Sequence, residues 1–200
     1  MAERILMLDL SLITGWAFDT EIGEHEDPSL RACGLKHGSI KLPDPLGSKE
    51  VGFDNGRTYT YFEQWLVARI ESSQATVLGF EAPLNLNHMI DRETGRLRMG
   101  ENTVRLVFGL PTIVELVATR LGLQRFEVNN ADARHHFLGS SRGRRDELKR
   151  KTIARCQQLG WYPQDDNAAD AIAMHDYARH CFRLPAIRPA GPLFKQQVGF

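Results

Sequence analysis

The chain has 200 residues, 42% apolar and 25% charged, with 25 Lys+Arg balanced against 25 Asp+Glu. This is enough chain for one globular domain with a real core, and the composition argues against general disorder. A formal net charge of zero identifies no polyanionic partner, so any contact with nucleic acid must come from a local patch.

Three scattered cysteines (Cys33, Cys156, Cys181) form no CxxC, which argues against a disulfide framework or a thiolate zinc site and for a reducing cytoplasm. No apolar run approaches the ~18–20 residues of a membrane span. The N-terminus turns acidic too early for a signal peptide. The expectation is a cytoplasmic protein with a domain over 1–183 and a proline-containing tail over 184–200.

Residues 4–10 form an apolar run with one aspartate, the pattern of a strand covered on both faces. A turn at 11–15 leads into a second strand at Trp16-Ala-Phe18, close enough for an antiparallel hairpin. Residues 19–30 read as an acidic loop, and 31–42 as a third strand ended by Pro43. Phe62, Leu66 and Ile70 recur every four residues and predict an amphipathic helix over 58–72. A buried strand follows at 76–81, and the strand–helix–strand order predicts a crossover returning beside the first strand.

Residues 84–103 read as a long loop of the kind usually kept for function. A helix is predicted over 103–121, with Pro111 as a bend or break. A short strand at Phe126-Glu-Val128, a helix at 131–138 and a basic helix at 147–159 come next. The last helix is expected over 167–182, with Asp165 or Asp166 as its cap.

Three acids lie among apolar neighbours: Asp9 inside a strand, Glu81 ending one, and Asp170 in the run Ala168-Ala-Asp-Ala-Ile-Ala173. A buried carboxylate needs a partner, a metal or a proton. If the two strands are neighbours, Asp9 and Glu81 meet near one edge of the sheet, and the alanines let the last helix bring Asp170 to the same place. Such a cluster repels itself unless a cation neutralises it, and hard oxygen donors favour Mg²⁺ or Mn²⁺.

The ordered pieces Ile5-Leu-Met-Leu-Asp9-Leu-Ser-Leu-Ile-Thr-Gly-Trp-Ala17, Val77-Leu-Gly-Phe-Glu81-Ala-Pro83 and Asp166-Asn-Ala-Ala-Asp170-Ala-Ile-Ala173 resemble the RuvC-type Holliday-junction resolvases of the RNase H-like (retroviral integrase) superfamily, their phage-type branch most of all. Between them, Ala133-Arg-His-His-Phe-Leu-Gly139, Arg145-Asp-Glu-Leu-Lys-Arg150 and Leu159-Gly-Trp161 extend the resemblance to about residue 182. It implies an α/β RNase H-like fold, a five-stranded mixed sheet flanked by helices on both faces. It also implies two Mg²⁺ ions per site, replaceable by Mn²⁺, that hydrolyse a phosphodiester, with Asp9 as the bridging ligand beside Glu81 and Asp170.

The family's fourth position, an Asp or His three residues before the final Asp, is Asn167 here, and adjacent Asp166 is the alternative. Both lie within one helical turn of Asp170. The substrate implied is branched DNA, above all the four-way junction, bound by a homodimer through the 103–121 helix.

From Arg134 to Arg155 there are eight Lys/Arg and two acids, a local positive stripe in a neutral chain. Arg134, Arg142, Arg144, Arg145, Lys149 and Lys151 are its candidate phosphate contacts, and Arg134 matches a family lysine near the scissile phosphate. Leu84, Leu86 and Met89 stand where the family places a side chain that disturbs stacking at the junction centre. The adjacent His135 and His136 point ~100° apart on a helix and make a poor chelate.

Asp9 to Gly15 also looks like a phosphate loop of actin-like ATPases, but 200 residues leave no room for the second lobe. A non-catalytic branch binder and an RNase H-like enzyme acting on RNA remain as competitors.

Overall fold

The computed structural model describes residues 3–22, 32–48, 52–83, 90–91, 93–94, 96–184 and 187. At its centre β1 (Ile5–Asp9) is buried at every position. β2 (Ile13–Ile22) pairs with it antiparallel, and β3 (Ala32–Lys41) pairs antiparallel with β2. A small separate hairpin, β4 (Leu46–Ser48) with β5 (Gly52–Asp54), precedes α1 (Gly56–Ser73). β6 (Val77–Glu81) then returns parallel to β1, and β7 (Gln124–Val128) lies parallel to β6. The sheet order β3-β2-β1-β6-β7 is a five-stranded mixed sheet.

Alternation along the strands divides the core in two. Leu6, Leu8, Leu78 and Phe80 face α1 and α2 (Glu101–Leu121), packing with Phe62, Leu66, Leu110 and Val114. Ile5, Met7 and Val77 point to the other face, against Met174 and Ala178 of α5 (Asp166–Cys181) and Ala133 of α3 (Asn130–Leu138). α4 (Arg145–Gln158) completes that layer through Cys156, beside Phe137 and Trp161. Each of the large apolar side chains buried here contributes roughly 1.5–3 kcal/mol. By parity, Asp9 and Glu81 fall on the α5 face.

Three local expectations are corrected. Residues 19–22, read as loop, continue β2 through Ile22, because Asp19 is buried against Arg179 instead of facing water. The β4–β5 hairpin was not expected, its strands being too short for a period-2 signal. α2 runs unbroken through Pro111, and it begins at Glu101 rather than 103.

The apolar stripe of α2 expected to pair two copies is mostly spent within the chain, since Leu106, Leu110, Val114 and Val117 are buried. Leu116 and Leu121 are its exposed large apolar residues. No helix among the described residues is long and apolar enough to cross a membrane. The segment after residue 187 lies outside the described residues, and so do Leu84, Leu86 and Met89.

Candidate active site

Asp9 and Glu81 end adjacent parallel strands, one residue beyond the paired positions Leu8 and Phe80. Their carboxyls lie near enough for each charge to act on the other. The third acid arrives through α5, and a glycine decides how closely. Gly15 lies opposite Asp9 on β2, and a Cβ there would overlap the Asn167 carbonyl and come within 3.0 Å of the Ala168 amide nitrogen. The first turn of α5 therefore rests directly on the strand beside Asp9. Ala168, Ala169, Ala171 and Ala173, all buried, let the rest of the helix follow.

Capping fixes the same end of the helix. Asp165 accepts a hydrogen bond from the Ala168 amide at 2.8 Å, and the Ser39 hydroxyl on β3 donates to its other oxygen. Ser39 is paired with Gly15, so one sheet position sets both the depth and the start of α5.

α3 adds two polar side chains one turn apart on one face. Asn130 donates from Nδ2 to Glu81 Oε1 at 2.8 Å, and Arg134 donates from Nη2 to Asp170 Oδ2 at 2.9 Å. Asp9 and Asp170 are only 7% and 5% exposed. Burial pushes the Asp9 carboxyl well above its ordinary range, and the Glu81 and Asp170 carboxylates push it further. Burial raises Asp170 too, against the pull of Arg134.

A cleft of about 380 Å³ opens over these acids, with Ser11, Pro83 and Pro111 in its walls and Arg145, Lys149 and Asn167 on the basic side. An apolar hollow continues from it between the 10–13 turn and the first turns of α2, over Leu12, Leu106 and Leu110.

The predicted residues thus separate. Asp9, Glu81, Asp170, Asn167, Arg134, Arg145 and Lys149 share the cleft. Asp166 is turned to Lys149, whose ammonium pairs with it and holds its carboxyl below the usual range. Lys151 lies on another side of α4, pairing with Glu147 at 2.6 Å, and lines a different hollow with His136 and Arg155. Arg142 and Arg144 are exposed in the segment before α4. His136 stands 3.2 Å from Asp176, and neither it nor His135 lines the cleft. Asn130 and Ser39 were missed. The Asn129-Asn130 pair just after a strand was the available signal for the first, while Ser39 had none.

Among the described residues no three Asp, Glu, His or Cys side chains close around one point as a ready metal cage. The donor set nevertheless fits a hard divalent ion. Asp170 Oδ1 is buried without a hydrogen-bond partner, and Asp9 is crowded by two carboxylates that only a proton or a cation can relieve. Asp9, Glu81 and Asp170 are the residues that would hold it.

The five-stranded mixed sheet in the order β3-β2-β1-β6-β7, with helices on both faces, is an α/β arrangement of the RNase H-like fold. No protein-family model and no curated protein sequence matches the chain. Solved structures do. Thermus thermophilus RuvC is 10% identical with a TM-score of 0.56, over 92% of this chain and 98% of that one. The same protein in complex with Holliday junction substrate gives 0.58 over 90% and 96%. The yeast mitochondrial Holliday junction resolvase Ydc2 gives 0.52 at 10% identity, over 86% and 75%. The fold is that of the RuvC-type proteins.

Proposed function

We propose that the chain is a divalent-metal-dependent DNA endonuclease that cuts branched DNA, four-way junctions first, with residues 1–183 as the nuclease domain. The observation that carries this reading is the meeting of Asp9, Glu81 and Asp170, remote in sequence, in a cleft rimmed by Arg134, Arg145 and Lys149. The likeness to junction resolvases, one of them in complex with its junction, supports the substrate class.

A divalent ion held by the three carboxylates would activate water and offset charge on the phosphodiester. The chain's own residues do the remainder. Arg145 and Lys149 attract the backbone and set the approach of a phosphate to the acids. Asn130 fixes the rotamer of Glu81, and Gly15 fixes the depth of Asp170. The apolar hollow beside the cleft offers room for the nucleotide next to the scissile phosphate. Two copies joined through the exposed side of α2, where Leu116 lies, would present two clefts to a two-fold junction. Recombination, repair or phage DNA processing, in a bacterial cytoplasm, is the setting that fits such an activity.

The test is nicking of a synthetic four-way junction, a flap, a duplex and an RNA–DNA hybrid, with Mg²⁺ or with chelator. Asp9→Asn and Glu81→Gln should each lower junction nicking by more than ~10³-fold while binding survives. Wild-type cutting by both variants would end the assignment, and hybrid-only cutting would move the substrate to RNA.

A further inference from the structure

We propose that Arg134 supplies the second positive charge of this centre, so that the chain holds one tightly bound divalent ion where the resemblance implies two. The inference rests on reading the cleft as a divalent-ion centre. It concerns how the charge is balanced there.

Two ions in one cleft need a donor set negative enough to hold them close together. Here the donors are Asp9, Glu81 and Asp170, and the fourth position is the neutral amide of Asn167. One carboxylate of the three already has a cation. Arg134 lies 2.9 Å from Asp170 Oδ2, with the two side chains 17% and 6% exposed. Its charge also reaches Asp9. A guanidinium cannot lose its proton at working pH, so this charge is permanent.

The pairing is built into the backbone. Arg134 stands one turn after Asn130 on α3, and Asn130 is tied to Glu81. Ala133 and Phe137 bury the adjoining face of α3 and leave little room for it to withdraw. What Arg134 leaves over is the other oxygen of Asp170, Oδ1, buried and without a partner, together with the crowded Asp9 and Glu81 pair. Those three carboxylates make the donor set of a single ion. A second dication beside Asp170 would have to displace the guanidinium or sit against it, with neutral Asn167 in the cleft and Asp166 already paired with Lys149.

The experiment counts Mn²⁺ bound per chain, by titration calorimetry and by loss of the free-ion paramagnetic resonance signal. Wild type should bind one Mn²⁺ tightly, and Asp9→Asn should lose it. Arg134→Gln keeps a donor for Asp170 but removes the charge, and should bind two. Arg134→Lys should return to one. Asn167→Asp alone should stay at one, and combined with Arg134→Gln it should tighten the second ion by at least roughly tenfold.

Two tight ions in the wild type overturn the proposal outright, and that result needs no variant to fold. A folded Arg134→Gln protein that still binds one ion overturns it as well. Absence of any Mn²⁺ site overturns both this proposal and the divalent-ion reading. One ion without cleavage of any DNA would leave the proposal standing and remove the nuclease.

Discussion

The α5 layer buries aspartates at both ends of the helix, and the two ends treat them in opposite ways. Near the start of β1, Asp19 is 8% exposed and faces an arginine, a histidine and a backbone amide. Arg179 Nη1 lies 2.6 Å and His175 Nε2 3.0 Å from its Oδ1, and the Ile5 amide donates to Oδ2 at 3.2 Å. Burial by itself would raise this carboxyl, but His175, Arg179 and the amide outweigh it and hold it below the ordinary range. At the far end of the strand, Asp9 is equally buried and faces two carboxylates, with one arginine nearby. Burial is common to both. The difference lies in the partners, and it separates a group that stabilises the fold from one kept ready for a ligand.

The largest expected effect comes from exchanging one charge at each end. Asp19→Asn takes away the charged acceptor of Arg179 and the Ile5 amide in the core, and should cost about 1.5–3 kcal/mol of unfolding free energy. Asp9→Asn removes one member of a repelling cluster and should leave the metal-free protein as stable as wild type, or more so. Urea unfolding of the two variants with chelator present measures this directly. Equal destabilisation by both would mean that the two ends are not different in kind.

Gly15→Ala sharpens the comparison by moving α5 without altering any charge. The added methyl overlaps the Asn167 carbonyl, so the first turn of the helix must lift from β2. Overpacking of this sort costs about 1–3 kcal/mol. Because Asp170 moves with the turn, nicking should fall more than roughly tenfold, even at temperatures where the variant is fully folded. The Asp19 end, held by side chains three turns away, should keep its contribution. A variant with lowered stability and unchanged kcat would show that the depth of α5 does not set the site.

How much of this was legible beforehand follows from the same contrast. Asp9, Glu81 and Asp170 stood out because each interrupts an apolar pattern, and period-2 alternation puts the first two on one face. The alanines around Asp170 marked the close approach, whereas Gly15 read only as part of a turn, because the helix that needs it lies about 150 positions further on. Asp19 was hidden because it lies among other acids and reads as a loop. Its partners are 156 and 160 positions away, and only the completed sheet brings them beside it. Asn130 and Ser39 escaped for the same reason, since a polar residue near a strand end is ordinary until its partner is known. Lys149 and Lys151 both stood among the candidate phosphate contacts, Lys149 with the stronger claim, and the phase of α4 separates them.

Acid titration reads the two ends with opposite signs: the raised Asp9 and Asp170 carboxyls take up protons above ~4 and gain stability as pH falls, whereas Asp19 responds below ~4. Its carboxyl titrates lower in the folded chain than in the unfolded one, so its stabilisation is fully present above ~4, the unfolded value. It is lost as pH falls through the lower folded value. Between those two values wild type should lose stability steeply, while Asp19→Asn, already lacking the contribution, should show a flatter profile. Matching slopes for the two proteins in chelator would mean that another carboxylate governs acid unfolding.

The smallest effect separates two lysines on one helix. Lys149 lines the cleft and reaches Asp166, whereas Lys151 is exposed, paired with Glu147, and directed to another hollow. The Lys151–Glu147 pair is exposed and screened by water, so Lys151→Ala should leave both stability and junction affinity nearly unchanged. Lys149→Ala should weaken junction binding and reduce the slope of log affinity against log salt by about one, the signature of a lost phosphate contact. If Lys151→Ala produced the slope change instead, the DNA would run over the His136 and Arg155 side of α4, and the basic rim of the cleft would have to be redrawn there.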